Sequence, residues 1–223
     1  MNATGELLLS GPEFGLLAAL GAVEPLVPFA EPPLDEAVAE VVISGLLSRG
    51  VLVPDGNTVS INEELRPLLG VTFLPGSATR TAHSGPSGHQ SASVLRTGDA
   101  AVLHRVDAGG LHQLVAVDAE EALRLQREVL SLETLTADAG TEASITLDGV
   151  LDRAAADGAS AWSAERLERA DPEAELRSRL VMVVEDDEGL WLAASRTGEP
   201  LEVGPVDAAA ARALLAGVLE TSR

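Results

Sequence analysis

The sequence predicts an α+β protein made of two related halves whose strands join into one sheet. Each half contains a strand, a tight turn, a partner strand and then a helix that follows an aspartate, over 94–130 and again over 180–219. Shifting the first pattern by 89 residues, which places Asp118 on Asp207, aligns seven identical residues over 115–130. A shared order of elements with a shared helix cap is typical of an internal repeat.

The charge excludes whole classes of function. The chain has 35 acidic residues against 15 basic ones, all of them arginine, and a net charge of -20. Binding to nucleic acid depends on Lys and Arg that neutralise phosphates, and no window of the sequence holds a run of arginine. We therefore expect no nucleic acid partner and no attraction to an anionic membrane. The absence of lysine indicates a high-GC, actinobacterium-like source.

The chain has no cysteine, which excludes disulfides, thiolate nucleophiles and cysteine-based metal sites. Its first residues, MNATGELLLSGPEFGLL, show no basic segment and no cleavage site of a secretory leader. No apolar run approaches the ~20 residues that a membrane-spanning helix needs. We expect a cytoplasmic protein without membrane insertion.

The first elements follow from local capping signals. Residues 6–9 form a short apolar strand, and Ser10 with Glu13 forms a capping box at the start of a helix. A second helix is predicted over 35–49, with a stop at Gly50.

A small hairpin is predicted from 51–53 and 59–61, and Asn62 caps a third helix. This order of helix, hairpin and helix over 35–70 also fits a winged-helix regulator, which is the alternative function. Glu63 and Glu64 at the start of the third helix weigh against that alternative.

The sheet is predicted to begin at 71–74, and the Ser-, Gly- and His-rich segment 79–93 is predicted to be a flexible loop. Strands over 101–106 and 111–117 form a hairpin around a turn at 107–110. Counting from this turn pairs Arg105 with His112. His104 and His112 then lie on opposite faces as partly exposed side chains, which excludes a shared metal.

The second half begins with a polar linker over 134–140 and a strand over 143–147. Helices are predicted over 148–157, over 161–169 as a short helix or turn, and from Pro172 to Arg177. Strands over 180–185 and 190–194 flank an acidic turn, Asp186 to Gly189, which we interpret as solvated. A strand at 201–203 and a helix from Asp207 complete the chain.

No segment carries a catalytic signature. The acidic cluster 185–189 lacks the spacing of a calcium loop, and Ser84, Ser87 and Ser91 lack a nucleophile elbow. No carboxylate pair lies in the apolar setting that acid–base catalysis requires. We predict no enzyme activity, no catalytic residue, no cofactor and no metal, which leaves a protein partner as the expected ligand.

Four stretches together resemble the EspG-like family, the secretion-associated chaperones of actinobacterial type VII (ESX) systems. They are LLLSGPEFGLLAALG, LLSRGVLVPDGNTVSINEELRPLLGVTFLP, LRTGDAAVLHRVDAGGLHQLVAVDAEEALRLQREVL and VVEDDEGLWLAASRTGEPLEVGPVDAAAARALL. The resemblance implies a central, mostly antiparallel sheet with a pseudo-twofold axis. It divides the single compact domain into halves at 1–133 and 134–223.

The resemblance also implies a cytosolic, non-enzymatic chaperone that binds the helical tip of a secreted PE–PPE-like heterodimer and keeps it soluble. In that family a strand-connecting loop contributes to the partner surface, and the matching segment here is 79–93. The candidate contact residues are Thr79, Arg80, His83, Ser87, His89 and Gln90. A homo-oligomer and a protein-interaction domain without a role in secretion stay open as alternatives.

Overall fold

The computed structural model describes residues 5–21, 35–86, 88–107, 109–141, 144–169 and 174–220. Their architecture is α+β with a large antiparallel sheet, as the sequence predicts. The strands are β1 (Glu6–Ser10), β2 (Leu52–Asp55), β3 (Thr58–Ile61), β4 (Ser77–Gly85), β5 (Gly88–Thr97), β6 (Ala100–Val106), β7 (Leu111–Val117), β8 (Ser160–Glu168), β9 (Arg177–Asp186), β10 (Gly189–Arg196) and β11 (Glu202–Pro205). The helices are α1 (Gly11–Leu20), α2 (Glu36–Ser48), α3 (Arg66–Phe73), α4 (Ala119–Leu130), α5 (Leu147–Ala154) and α6 (Ala208–Leu219).

The hydrogen-bonded order of the large sheet is β1-β7-β6-β5-β4-β8-β9-β10-β11, and β2 and β3 form a separate two-stranded sheet. The chain divides into two compact units. The first unit comprises Met1–Gly76 and Leu95–Ala119, and the second comprises Ser77–Val94 and Glu120–Arg223. These units reflect which residues contact each other, and they do not test whether the chain consists of two related halves. The division into halves at 1–133 and 134–223 therefore stays a prediction.

Capping side chains start the helices of the first unit where the sequence predicts. Ser10 accepts a hydrogen bond from the Glu13 amide, while the Glu13 carboxylate accepts one from the Ser10 amide, which completes the capping box. The Asp35 carboxylate accepts from the Val38 amide at 2.8 Å and starts α2. Asn62 caps a short 3-10 turn that leads into α3.

The predicted start of the sheet at 71–74 is wrong, because Val71, Thr72 and Phe73 form the last turn of α3. A short apolar run does not by itself distinguish a buried helix from a strand. Here the run continues the buried stripe that begins at Leu68 and Leu69, so the helix buries all of these side chains against the first unit.

Helices cover both faces of the sheet in the second unit. On one face, Trp162 of β8, Val183 of β9 and Leu192 of β10 belong to an apolar cluster with Leu215 and Val218 of α6. A smaller cluster occupies the opposite face, where α5 packs against β9 and β10. It consists of Val150, Val184, Trp191 and Ala193.

Several predictions for the second unit are wrong. Residues 79–85 and 88–93 do not form the predicted loop but lie in β4 and β5, because β4 has hydrogen-bonded neighbours on both edges. Segment 161–169, predicted as a helix or turn, lies almost entirely in β8. Its Ala, Glu, Arg and Leu residues favour a helix in isolation, but pairing with β4 and β9 overrides that preference.

The predicted strand over 143–147 is also absent from the described part of the segment, since 144–146 carry no regular structure and Leu147 begins α5. Pro172, the predicted start of a helix, lies outside the described residues. Residues 174–176 are not helical, and Arg177 begins β9. The hairpin β9–β10, the strand β11 and the helix after Asp207 agree with the sequence.

Candidate protein-interaction surface

Five of the six candidate contact residues lie on strands β4 and β5, which we call the β4–β5 hairpin. On β4, His83 faces Trp162 of β8, and Arg80 faces Glu165. Because side chains alternate along a strand, His83 and Arg80 point to opposite faces of the sheet. The predicted contact set is therefore divided between two faces.

His83 is half-buried and stacks on the indole of Trp162, with ring centroids 5.0 Å apart and an interplanar angle of 12°. Burial lowers the pKa of His83, and the neighbouring charge of His89 lowers it further. The ring is accordingly neutral at neutral pH, and it extends the aromatic surface of Trp162 toward the end of the hairpin.

Thr79 and Arg80 differ in accessibility. Thr79 is buried, and its carbonyl accepts a hydrogen bond from the Gln126 side chain at 3.0 Å, so this residue anchors α4 to the sheet. Arg80 is exposed and forms an ion pair with Glu165 at 3.5 Å. Of these two residues, only Arg80 presents its side chain to a partner.

His89 and Gln90 lie on β5 with exposed side chains. Ser87 lies outside the described residues. The accessible part of the predicted set thus consists of Arg80, His89 and Gln90, with His83 half-buried beside them. Its chemistry is polar and aromatic: one guanidinium, two imidazoles and one amide.

The predicted placement of His104 and His112 is wrong. The structure pairs Val106 with His112 and Arg105 with Gln113, one residue away from the predicted register. Both rings therefore lie on one face, where they are buried and joined by a 3.0 Å hydrogen bond between His104 Nε2 and His112 Nδ1. Phe14 stacks on His112 with ring centroids 4.3 Å apart.

The register differs because Asp107 closes the turn with its own side chain. Its carboxylate accepts hydrogen bonds from the amides of Gly109 and Leu111, at 2.8 and 2.9 Å. Its amide donates to the Leu111 carbonyl at 3.1 Å. Asp107, rather than Val106, therefore faces Leu111, and a shift of one residue reverses the face on which His112 lies.

The acidic turn after β9 is only partly solvated. Asp186 forms an ion pair with Arg153 of α5 at 2.5 Å and accepts from Trp191 Nε1 at 3.1 Å, while Arg153 lies 4.2 Å over the Trp191 ring. Burial by itself raises the pKa of Asp186, but the hydrogen bonds from Arg153, Trp191 and the Glu188 amide outweigh it and lower the pKa overall. Burial raises the pKa of its neighbour Glu185.

Sequence reasoning missed this contact because Arg153 and Asp186 are 33 residues apart. Neither residue lies in a local pattern that would point to the other. The Arg153 contact holds α5 against the hairpin β9–β10, so its role in the fold is structural.

A cavity of about 820 Å³ opens in the second unit between the ends of β8, β9 and β10 and the end of α6. Four arginines line it, Arg166, Arg177, Arg179 and Arg196, although the sequence shows no run of basic residues. Four glutamates line it as well, so the pairing of separate strands assembles a cluster of charged side chains that no window of the sequence shows.

Two further properties concern metals and membranes. Among the described residues, no group of three or more His, Cys, Asp or Glu side chains is arranged to hold a metal ion. None of the helices in the same ranges combines the length and apolar character that crossing a bilayer requires.

Comparison with known proteins gives a match in structure and none in sequence. No protein-family model and no curated protein matches this chain. The type VII secretion system chaperone EspG5 of Mycobacterium tuberculosis, solved in complex with a PE25–PPE41 dimer, matches with a TM-score of 0.57 and 14% sequence identity. The match covers 96% of this chain and 95% of EspG5. The fold that the sequence resemblance implies is thereby confirmed: the chain has an EspG-like α+β fold.

Proposed function

We propose that the protein is a non-enzymatic, cytoplasmic chaperone that binds a helical secretion substrate, such as a PE–PPE-like pair, and keeps it soluble. The observation that carries the proposal is the likeness of fold to EspG5 over nearly the full length of both chains. EspG5 is a chaperone solved with its protein partner bound. A net charge of -20 supports the proposal, because high negative charge keeps a carrier protein soluble.

The proposed contact surface is the outer end of the β4–β5 hairpin. His89 and Gln90 are exposed there, and His83 adds a neutral ring stacked on Trp162. The exposed side chain of Arg80, farther along β4, extends this surface. Aromatic rings and arginine are enriched at protein interfaces, where they contribute much of the binding energy. We leave Thr79 out of the contact set, since its side chain is buried.

The described residues do not favour the winged-helix alternative. Helix α3 is only eight residues long and buries Leu68, Leu69, Val71, Thr72 and Phe73. The exposed charges at its start are Glu63, Glu64 and Arg66, which leave an acidic surface. A helix that reads DNA needs an exposed, basic face.

The test is co-purification of the tagged protein from its native host, followed by quantitative mass spectrometry. Deletion of 79–93 is unsuitable because it removes most of β4 and β5. The double substitution His89→Ala with Gln90→Ala removes two exposed side chains and leaves the backbone pairing intact. We expect the wild type to capture a helical secretion substrate, and the double variant to retain roughly a tenth of it or less.

Asn57→Ala is the matched control, since Asn57 is an exposed, uncharged polar residue in the turn between β2 and β3. It should capture as much substrate as the wild type. Failure of the folded wild type to capture any helical secretion substrate would contradict the proposed function. Equal capture by the His89/Gln90 variant and the Asn57 control would contradict the proposed surface.

A further inference from the structure

Three arginines form a row across the sheet of the second unit. Arg166 of β8 lies directly opposite Arg179 of β9, and Arg179 lies directly opposite Arg196 of β10. Arg177 is two residues from Arg179 on the same strand and therefore points to the same face. The three facing arginines and Arg177 all line the cavity of about 820 Å³, and we call these four side chains together the arginine row.

Such a row is costly without a counterion. Like charges directly opposite each other on neighbouring strands destabilise a sheet. The chain has only 15 basic residues against 35 acidic ones, yet four of the 15 line this cavity. Glu168 lies opposite Arg177 and offsets part of the repulsion there. Arg166, Arg179 and Arg196, however, face one another directly.

The partners of the arginine row account for only part of its hydrogen-bonding capacity. Arg166 is well satisfied: it pairs with Glu168 at 2.5 Å and donates to the Glu220 carbonyl at 3.0 Å. Arg179 donates one hydrogen bond, to the Gly217 carbonyl at 2.9 Å. Both carbonyls lie at the C-terminal end of α6, where cations are favourable.

The other two arginines hold fewer partners. Arg196 contacts Glu199 through a single nitrogen at 3.4 Å, and both side chains are well exposed. The Arg177 side chain makes no hydrogen bond or ion pair within the part of the chain that the structure describes. A guanidinium has five N–H donors in a planar fork, so Arg177, Arg179 and Arg196 leave most of theirs directed at solvent or the cavity.

We propose that the arginine row binds a small multivalent oxyanion, a ligand with at least two phosphate or carboxylate groups. Guanidinium groups bind both of these anions through paired N–H···O bonds. The cavity volume falls in the range of small-molecule sites, ~300–1,000 Å³, and exceeds what a single inorganic anion fills. The ligand's negative charges offset the repulsion along the row.

The glutamates that line the cavity restrict where the anionic groups of the ligand can bind. Glu168 and Glu199 are each engaged by an arginine of the row. Glu175 and Glu220 also line the cavity, so anionic groups of the ligand must reach past them to Arg177, Arg179 and Arg196. Hydroxyl or amine groups of the ligand can donate to these two carboxylates.

The test is isothermal titration calorimetry on the full chain at low ionic strength, with two probes. Inorganic pyrophosphate represents phosphate ligands, and citrate represents carboxylate ligands. We expect saturable binding of at least one probe at millimolar concentration or below, and the tighter probe identifies the anion type. The double variant Arg177→Gln with Arg196→Gln should weaken binding by on the order of tenfold or more, since each arginine contributes charge-assisted hydrogen bonds.

The double variant Arg124→Gln with Arg127→Gln is the matched control, because it removes the same charge from an exposed face of α4. It should bind the probe as the wild type does. Absence of saturable binding for both probes, or an equal loss in the control, overturns the proposal. Arg177 and Arg196 do not hold α6, and removing them relieves repulsion, so their substitution should not lower the thermal unfolding temperature of the unliganded protein by more than about 2 °C.

Discussion

Two hairpins with the same turn spacing fold differently. The turn between β6 and β7 reads Asp-Ala-Gly-Gly, and the turn between β9 and β10 reads Asp-Asp-Glu-Gly. In the second hairpin Asp186 pairs with Gly189 and Glu185 with Leu190, around the turn that the sequence predicts. In the first hairpin Val106 pairs with His112, one residue away from the prediction.

The difference comes from the side chain of the first aspartate. Asp107 turns inward and accepts two backbone hydrogen bonds within its own turn. Asp186 accepts from the Glu188 amide, but it also binds Arg153 and Trp191 outside the turn. Asp107 therefore sets the register of its hairpin, and that register buries the histidine pair. Asp186 instead holds α5 against its hairpin. The same residue type in the same position does not have the same role.

The largest expected effect on stability comes from Trp191, the buried aromatic residue of the second hairpin. Trp191 is fully buried, and Gly140 packs so closely against its ring that a β-carbon at Gly140 would lie 2.4 Å from it. Trp191→Ala should lower the free energy of unfolding by about 3–5 kcal/mol, because it leaves a large cavity. Trp191→Phe should cost clearly less. Urea unfolding followed by circular dichroism measures both, and a loss below about 1 kcal/mol for the alanine variant would contradict this account.

The buried histidine pair provides the second test. His112→Ala removes the ring that stacks on Phe14 and the hydrogen bond to His104, and it should lower the free energy of unfolding by about 2–3 kcal/mol. His89→Ala changes an exposed histidine and should stay within about 0.5 kcal/mol of the wild type. Equal effects in the same urea assay would show that His112 is not buried as described.

Substitutions in the two turns should differ less in their effect on the free energy of unfolding. Asp107→Ala removes two backbone hydrogen bonds and should cost about 1–2 kcal/mol. Asp187 is exposed, so Asp187→Ala should change stability by less than about 0.5 kcal/mol. Amide hydrogen exchange of β6 and β7 should accelerate only in the Asp107 variant. Faster exchange in both hairpins of that variant would indicate global destabilisation instead of a local change at the turn.

The smallest expected effect is on pH dependence at the second hairpin. The pKa of Asp186 is lowered, so its contribution to stability is present at neutral pH and is lost as the pH falls below about 4. The pKa of Glu185 is raised, so its contribution is present at low pH and is lost as the pH rises above its ordinary value.

Single substitutions should reveal these opposed contributions. Glu185→Gln should raise stability at pH 7 and leave it unchanged at pH 3. Asp186→Asn should reduce the loss of stability on acidification from pH 6 to pH 3. Thermal unfolding across this range measures both, and a Glu185→Gln variant that is less stable than the wild type at pH 7 would contradict the assigned direction.

Local signals predicted much of the fold. Ser10, Asp35 and Asp207 start their helices as predicted, since a cap oxygen and the amide that it accepts from are three residues apart. The polar composition of 79–93 predicts a loop, and only pairing with neighbouring strands places 79–85 and 88–93 in a sheet. The candidate contact residues rest on the sequence resemblance alone, and which of them are exposed depends on the pairing of the strands.

By itself, the sequence determined the class of fold, the caps of the helices, the tight turns and the acidic charge of the chain, because each depends on composition or on residues a few positions apart. The tertiary structure decided which distant side chains meet. His104 meets His112 because a turn sets their register, and Arg166 meets Arg179 because β8 pairs with β9. Register depends on pairing at both edges of a strand, which is a non-local property that no window of sequence contains.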